Sequence, residues 1–149
     1  MDRLNRYNYY LDIAKAASMR STCLRKAYGA VLVKNDCIIA TGYNGVPAKE
    51  AHCTICTKLA CDKDVAEYTS CKSVHAEMNA LLMASKDDML GADLYLAGYD
   101  AVTGEENINA RPCEICLRLI KNAGINRIIN RTGIIYERHK DGIMREVDK

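Results

Sequence analysis

The chain has 149 residues, of which 49% are apolar and 27% charged, with a net charge of +2 and eight cysteines. That length suits one domain with a real core, and the composition is ordinary for a soluble globular protein and unlike that of a disordered one. Acids and bases are well mixed without a basic block, so a nucleic-acid partner is not expected, and no run nears the roughly 18 apolar residues of a membrane span. The N-terminus, MDRLNRYNYY, has no apolar stretch of a signal peptide, which reads as a cytoplasmic chain. Disulfides are rare there and metal ligation is common, so the eight cysteines point to zinc.

Tyr10, Ile13, Ala14 and Ala17 keep the rhythm of an amphipathic helix, predicted to end near Arg20, Ser21 and Thr22. Residues 27–33 and 37–41 are apolar and β-branched; Lys34, Asn35 and Asp36 make the turn of a hairpin that Gly42, Tyr43, Asn44 and Gly45 close. Residues 46–73 hold Pro47, polar residues and four cysteines with little periodicity, and a loop of that length is usually functional or pinned, here by a metal. Residues 75–85 predict a second helix, 94–96 a short strand, 113–123 a third helix stopped by Gly124, and 125–129 another strand. Residues 134–138 and 143–147 flank Asp141-Gly142, a hairpin turn pair, so the C-terminus adds a hairpin to the sheet. Strands alternating with helices predict an α/β fold with helices packed on a mixed sheet, and residues 1–149 read as a single domain without internal repeats.

The chemistry is concentrated at two predicted helix starts. His75, Ala76 and Glu77 open one; Pro112, Cys113, Glu114, Ile115 and Cys116 open the other. Cys113 and Cys116, three apart, share a helical face and can reach one ion, and a helix N-terminus favours their thiolates. With His75 they supply three zinc ligands and leave the fourth tetrahedral position for water, the pattern of a catalytic zinc. Zinc lowers the pKa of such a water to about 7. Glu77, a carboxylate beside the ligand set, is suited to take the water's proton and deliver it to a ring nitrogen.

His-x-Glu followed by Pro-Cys-x-x-Cys is the signature of the zinc deaminases. The chain resembles the deoxycytidylate deaminases of the cytidine and deoxycytidylate deaminase superfamily through Arg20-Ser21-Thr22-Cys23, Gly29-Ala30-Val31, Gly42-Tyr43-Asn44-Gly45, His52-Cys53, His75-Ala76-Glu77-Met78-Asn79-Ala80, Pro112-Cys113-x-x-Cys116 and Asn122-Ala123-Gly124-Ile125. The resemblance implies a three-layer cytidine-deaminase-like fold, with a five-stranded sheet between helices. It implies hydrolysis of dCMP to dUMP and ammonia, supplying dUMP for thymidylate synthesis, by a homo-oligomer, with a hexamer favoured. Asn44 matches the residue that hydrogen-bonds the nucleoside, and Ser21, Thr22 and Arg25 fall where the 5′-phosphate is held. Regulation by dCTP and dTTP is also implied. So is a second, structural zinc on Cys23, Cys53 and Cys71, with Cys61, Cys56 or His52 as fourth ligand. One departure stands out: residues 97–111 make a longer loop than the family uses, leading straight into Pro112, where it can alter the substrate pocket or subunit contacts.

Three other readings stay open. The substrate can be another cytosine nucleotide such as dCTP, or a base within tRNA, although Arg111 stands where tRNA-acting enzymes commonly carry a glutamate. A zinc-stabilised regulatory or assembly module is the non-enzymatic reading, and the intact His-x-Glu speaks against it.

Overall fold

A computed structural model describes residues 1–56 and 71–148. In chain order its elements are α1 (Arg6–Ser18), β1 (Lys26–Lys34), β2 (Cys37–Tyr43), α2 (Ala76–Leu82), α3 (Lys86–Met89), β3 (Asp93–Asp100), α4 (Glu114–Ala123), β4 (Arg127–Asn130), β5 (Gly133–Arg138) and β6 (Met144–Glu146). The strands form one six-stranded sheet in the order β2-β1-β3-β4-β5-β6. Only β3 and β4 run parallel, joined by the crossover through α4; the other neighbours are antiparallel. The five-stranded sheet and C-terminal hairpin expected from the sequence are both present, the hairpin's outer strand being the sixth. Among the described residues no helix is long and apolar enough to cross a membrane.

Alternation along the central strands divides the interior in two. Ala30 and Leu32 of β1, Leu94 and Leu96 of β3 and Ile128 of β4 pack with Ala76 and Ala80 of α2 and Cys116 and Ile120 of α4. Their sequence neighbours Val31, Val33, Tyr95, Ala97 and Ile129 pack on the other face with Tyr10, Leu11 and Ala14 of α1. Each face has one position that must be glycine because a helix backbone sits against it. A Cβ on Gly29 would lie 1.8 Å from the Ala14 carbonyl oxygen, and one on Gly42 would lie 2.3 Å from that of Ala76.

Four boundaries differ from the sequence reading. The buried stripe of α1 is Tyr10, Leu11, Ala14 and Ser18, so Ile13 and Ala17 lie at its margin and not at its centre. Gly42 and Tyr43 extend β2 instead of closing the hairpin, and the β1–β2 turn falls on Asn35 and Asp36 at φ of 51° and 60°. The helix expected over 75–85 stops at Leu82, and a separate short helix, α3, follows it, capped by Ser85, whose Oγ accepts a bond from Asp88 N at 3.1 Å. Finally, the short strand at 94–96 is eight residues long, since β1 pairs with all of Asp93–Asp100. Pairing supplies what the weak β-propensity of Ala97 and Gly98 lacks. The loop expected over 97–111 therefore begins only after Asp100.

Candidate active site and metal centre

The N-termini of α2 and α4 meet on the face opposite α1. His75 is the N-cap of α2 and Cys113 that of α4, where its sulfur accepts a bond from Cys116 N at 3.4 Å. Upstream, a bridge between Gly45 and Val74, with bonds of 2.7 and 3.1 Å, fixes the approach to His75. Downstream, α4 ends as predicted at Gly124 with φ of 83°, and its last turn is closed by basic groups: Lys86 donates to the Asn122 carbonyl and Arg138 to that of Lys121.

His75 Nδ1 lies 3.5 Å from Cys113 Sγ and 3.4 Å from Cys116 Sγ. Among the described residues these three form the group whose ligand atoms all fall within 4.8 Å of one another. The spacing can be tested against zinc. With Zn–S of about 2.3 Å and Zn–N of about 2.0–2.1 Å, the N···S edge of a tetrahedron is about 3.5–3.6 Å. The donor set fits the ion in both atom type and spacing.

Glu77, only 4% exposed, sits two residues beyond His75, in the first turn of α2. Burial pushes its carboxyl above the usual range, against which the neighbouring Cys116 side chain works in the opposite direction. Cys116 is shifted up in turn by burial and by the Glu77 and Cys113 charges. A cluster that opposes its own ionisation in this way is one that a dication would stabilise.

The remaining sequence candidates lie at different depths. Thr22 packs on Gly45, its hydroxyl 2.6 Å from where a Cβ would be, which puts it beside the Gly45–Val74 bridge. Ser21 Oγ accepts a bond from Cys23 N at 3.2 Å. The Arg25 charge acts electrostatically on the Tyr28 phenol. The Asn44 amide is turned to the backbone of β1, its Oδ1 accepting from Tyr28 N and its Nδ2 donating to Lys26 O, both at 2.8 Å. Cys23, Cys53, Cys56 and Cys71 are free thiols and form no three-ligand group among the described residues; Cys61 lies outside them.

Tyr28 is the residue that sequence reasoning missed. Read as one more apolar strand position, it carries a half-buried phenol within electrostatic reach of Glu77 and Arg25, with the Asn107 side chain against it. Its parity with Ala30 and Leu32 was the available signal. Cavity size gives no guide to the site: an open recess of about 530 Å³ runs along residues 137–141, away from the ligand cluster.

Residues 4–132 match the family model for the cytidine and deoxycytidylate deaminase zinc-binding region. The chain is 38% identical over 135 residues to the deoxycytidylate deaminase of Mycobacterium phage D29, covering 87% of this chain and 96% of that one. It is 30% identical over 144 residues to the deoxycytidylate deaminase of Schizosaccharomyces pombe, where it covers 93% of itself but 40% of the longer protein. The crystal structure of dCMP deaminase from cyanophage S-TIM5 in complex with dCMP and dUMP is similar at a TM-score of 0.61 and 27% identity, over 85% of this chain and 82% of that one.

Proposed function

The chain belongs to the cytidine and deoxycytidylate deaminase family, and from that premise we infer that it hydrolyses dCMP to dUMP and ammonia. The observation that carries this reading is the convergence of His75 Nδ1, Cys113 Sγ and Cys116 Sγ at tetrahedral edge lengths beside the buried carboxyl of Glu77.

In this reading His75, Cys113 and Cys116 hold the catalytic zinc. When bound, the ion supplies Lewis-acid activation of water at neutral pH. Glu77 does the proton work. It accepts a proton from the water that adds to C4 of cytosine and passes it to N3, and a second transfer to the exocyclic nitrogen lets ammonia leave as the C4 carbonyl forms. Burial of Glu77 keeps bulk water from competing for those protons. Arg25, Ser21 and Thr22 hold the 5′-phosphate at the mouth. Asn44 serves the nucleoside end by fixing β1 through its bonds to Lys26 and Tyr28.

The same proposal takes residues 1–149 as one catalytic domain, working in the cytoplasm as a homo-oligomer under dCTP and dTTP control. It includes a structural zinc on Cys23, Cys53 and Cys71 with Cys61, Cys56 or His52. Free thiols at Cys23, Cys53, Cys56 and Cys71 support that second ion; metal analysis finding one zinc per fully loaded chain would remove it.

The deciding assay is ammonia release from dCMP, dCTP, deoxycytidine and a tRNA, with Glu77→Gln as control. Turnover of dCMP is expected, with a loss of roughly 10²–10⁴-fold in the variant. Activity confined to another substrate would move the specificity, and an active Glu77→Gln would sink the mechanism.

A further inference from the structure

The connection from β3 to α4 runs into Cys113, and it is tied down more firmly the nearer it comes. Asn107 N donates to the Gly98 carbonyl at 2.8 Å, in the row where Gly98 pairs with Tyr28 of β1. Glu106 pairs with Arg131 at 2.6 Å. The Ala110 carbonyl then accepts a bond from Asn130 Nδ2 at 2.9 Å. Asn130, 2% exposed at the end of β4, spends its Oδ1 on the N–H and the hydroxyl of Thr132.

Arg111 makes the last tie, to the C-terminal hairpin. Its Nη2 donates to Glu146 Oε1 of β6 at 2.6 Å and to the Tyr136 hydroxyl of β5 at 3.2 Å, and the guanidinium carbon lies 5.3 Å from the centre of the Tyr136 ring. Tyr136 and Glu146 are partners in the strand register, so their side chains stand side by side on one face of the hairpin. The same hairpin holds the far end of α4, where Arg138 donates to the Lys121 and Ile125 carbonyls at 2.9 and 3.0 Å. The hairpin therefore grips α4 past its C-terminus and ahead of its N-terminus.

One residue, Pro112, separates Arg111 from Cys113, and its ring fixes φ. Two residues span at most about 7 Å, so the place of Arg111 bounds that of Cys113. His75 comes from a different helix, and its 3.5 Å approach to Cys113 Sγ depends on where α4 begins. The Arg111–Glu146 pair itself adds little stability, because its side chains are 42% and 59% exposed. A guanidinium bonded to a carboxylate and set against a ring is held in direction as well as distance.

We propose that Arg111, Tyr136 and Glu146 are positioning residues for the metal centre, the C-terminal hairpin setting the place of Cys113 through Arg111. This rests on the reading of His75, Cys113 and Cys116 as the catalytic ligand set.

Zinc affinity by chelator competition and the absorption spectrum of cobalt(II)-loaded protein test it, in full-length wild type, Arg111→Met, Glu146→Ala and Asp141→Ala. The binding step and the bands that His75→Ala lacks identify this centre. Asp141 pairs with Arg145 inside the turn of the same hairpin, at 2.6 Å and similar exposure, and so tests the hairpin's stability alone. Arg111→Met and Glu146→Ala should each weaken zinc binding about three- to tenfold, short of the roughly 10–100-fold lost with a partner bonded directly to a ligand. Both should also weaken the thiolate-to-cobalt charge-transfer band. The double variant should bind no worse than Arg111→Met, since the two act through one contact. Asp141→Ala should match wild type with both metals, and every variant should melt within about 4 °C of wild type. Wild-type affinity and spectrum in Arg111→Met and Glu146→Ala, or an equal loss in Asp141→Ala, would overturn the proposal. If Arg111→Met folds poorly, Glu146→Ala, at an exposed position on the edge strand, decides alone. A wild type that loads no metal on His75, Cys113 and Cys116 would instead bring down the functional reading.

Discussion

The two faces of the sheet are made by alternate residues of the same strands, yet they are built for different ends. On the α1 face Val31, Val33, Tyr95, Ala97 and Ile129 meet Tyr10, Leu11 and Ala14 in a core whose polar atoms are spent at its edges. Tyr10 donates to the Asp36 carboxylate at 2.6 Å and Tyr99 to that of Glu106 at 3.2 Å. On the other face, alanines at 30, 76 and 80 let α2 lie close to the sheet, and the interior ends in His75, Glu77, Cys113 and Cys116. Burial there opposes the ionised forms of Glu77 and Cys116, and the Glu77 and Cys113 charges push Cys116 further the same way. One face stabilises the fold, and the other uses the rigidity this provides to hold an unfavourable cluster.

The sharpest way to separate the faces is to remove one donor atom from the second. His75→Ala should abolish binding of the catalytic zinc, lower kcat/KM by roughly a thousandfold or more, and leave the far-ultraviolet circular dichroism of the folded chain in place. If zinc stoichiometry and activity survived, the three-residue centre would be wrong.

On the first face the consequences should reverse. Leu11, 1% exposed, sits in the α1 core. Leu11→Ala should cost about 3 kcal/mol and lower Tm by roughly 10 °C. Its kcat/KM, corrected for folded fraction, should stay within about twofold of wild type. A fall in kcat/KM comparable to that of a site variant would show that the two faces are mechanically coupled.

The smallest effect is an alkaline one. Burial, together with Asp36 at Tyr10 and Asp93 at Tyr95, pushes both phenols from their ordinary 10 up to about 12. The fold therefore favours the neutral phenols. Their contribution to stability is whole below pH 10 and is lost as pH climbs toward about 12. Urea midpoints should drop across that window, and Tyr10→Phe should shrink the drop. The same dependence in the variant would remove Tyr10 as a cause.

The residues of the His75, Cys113 and Cys116 cluster, the buried Glu77 beside it and the helices that bear them were legible in the sequence because each is a local pattern. Cys113 and Cys116 are one helical step apart, Glu77 is two residues from His75, and Pro112 and Gly124 mark the ends of one helix. The strands of the two hairpins showed for the same reason, through turn residues between apolar runs. The length of β3 did not show, because Ala97 and Gly98 are held in the sheet by β1 and not by preference of their own. Asn44 read as a nucleoside contact, while its amide holds the strand that carries Tyr28.

By itself, then, the sequence determined the metal chemistry, the order of helices and strands, and the family, since those depend on residue types at short spacing. Tertiary structure alone decided that residues 38 and 41 positions apart along the chain meet at 3.5 and 3.4 Å, and that Tyr28, Gly98 and Asn107 share a row. Such meetings are fixed by strand register and by the close approach of helices over glycine, quantities that no local stretch of chain contains.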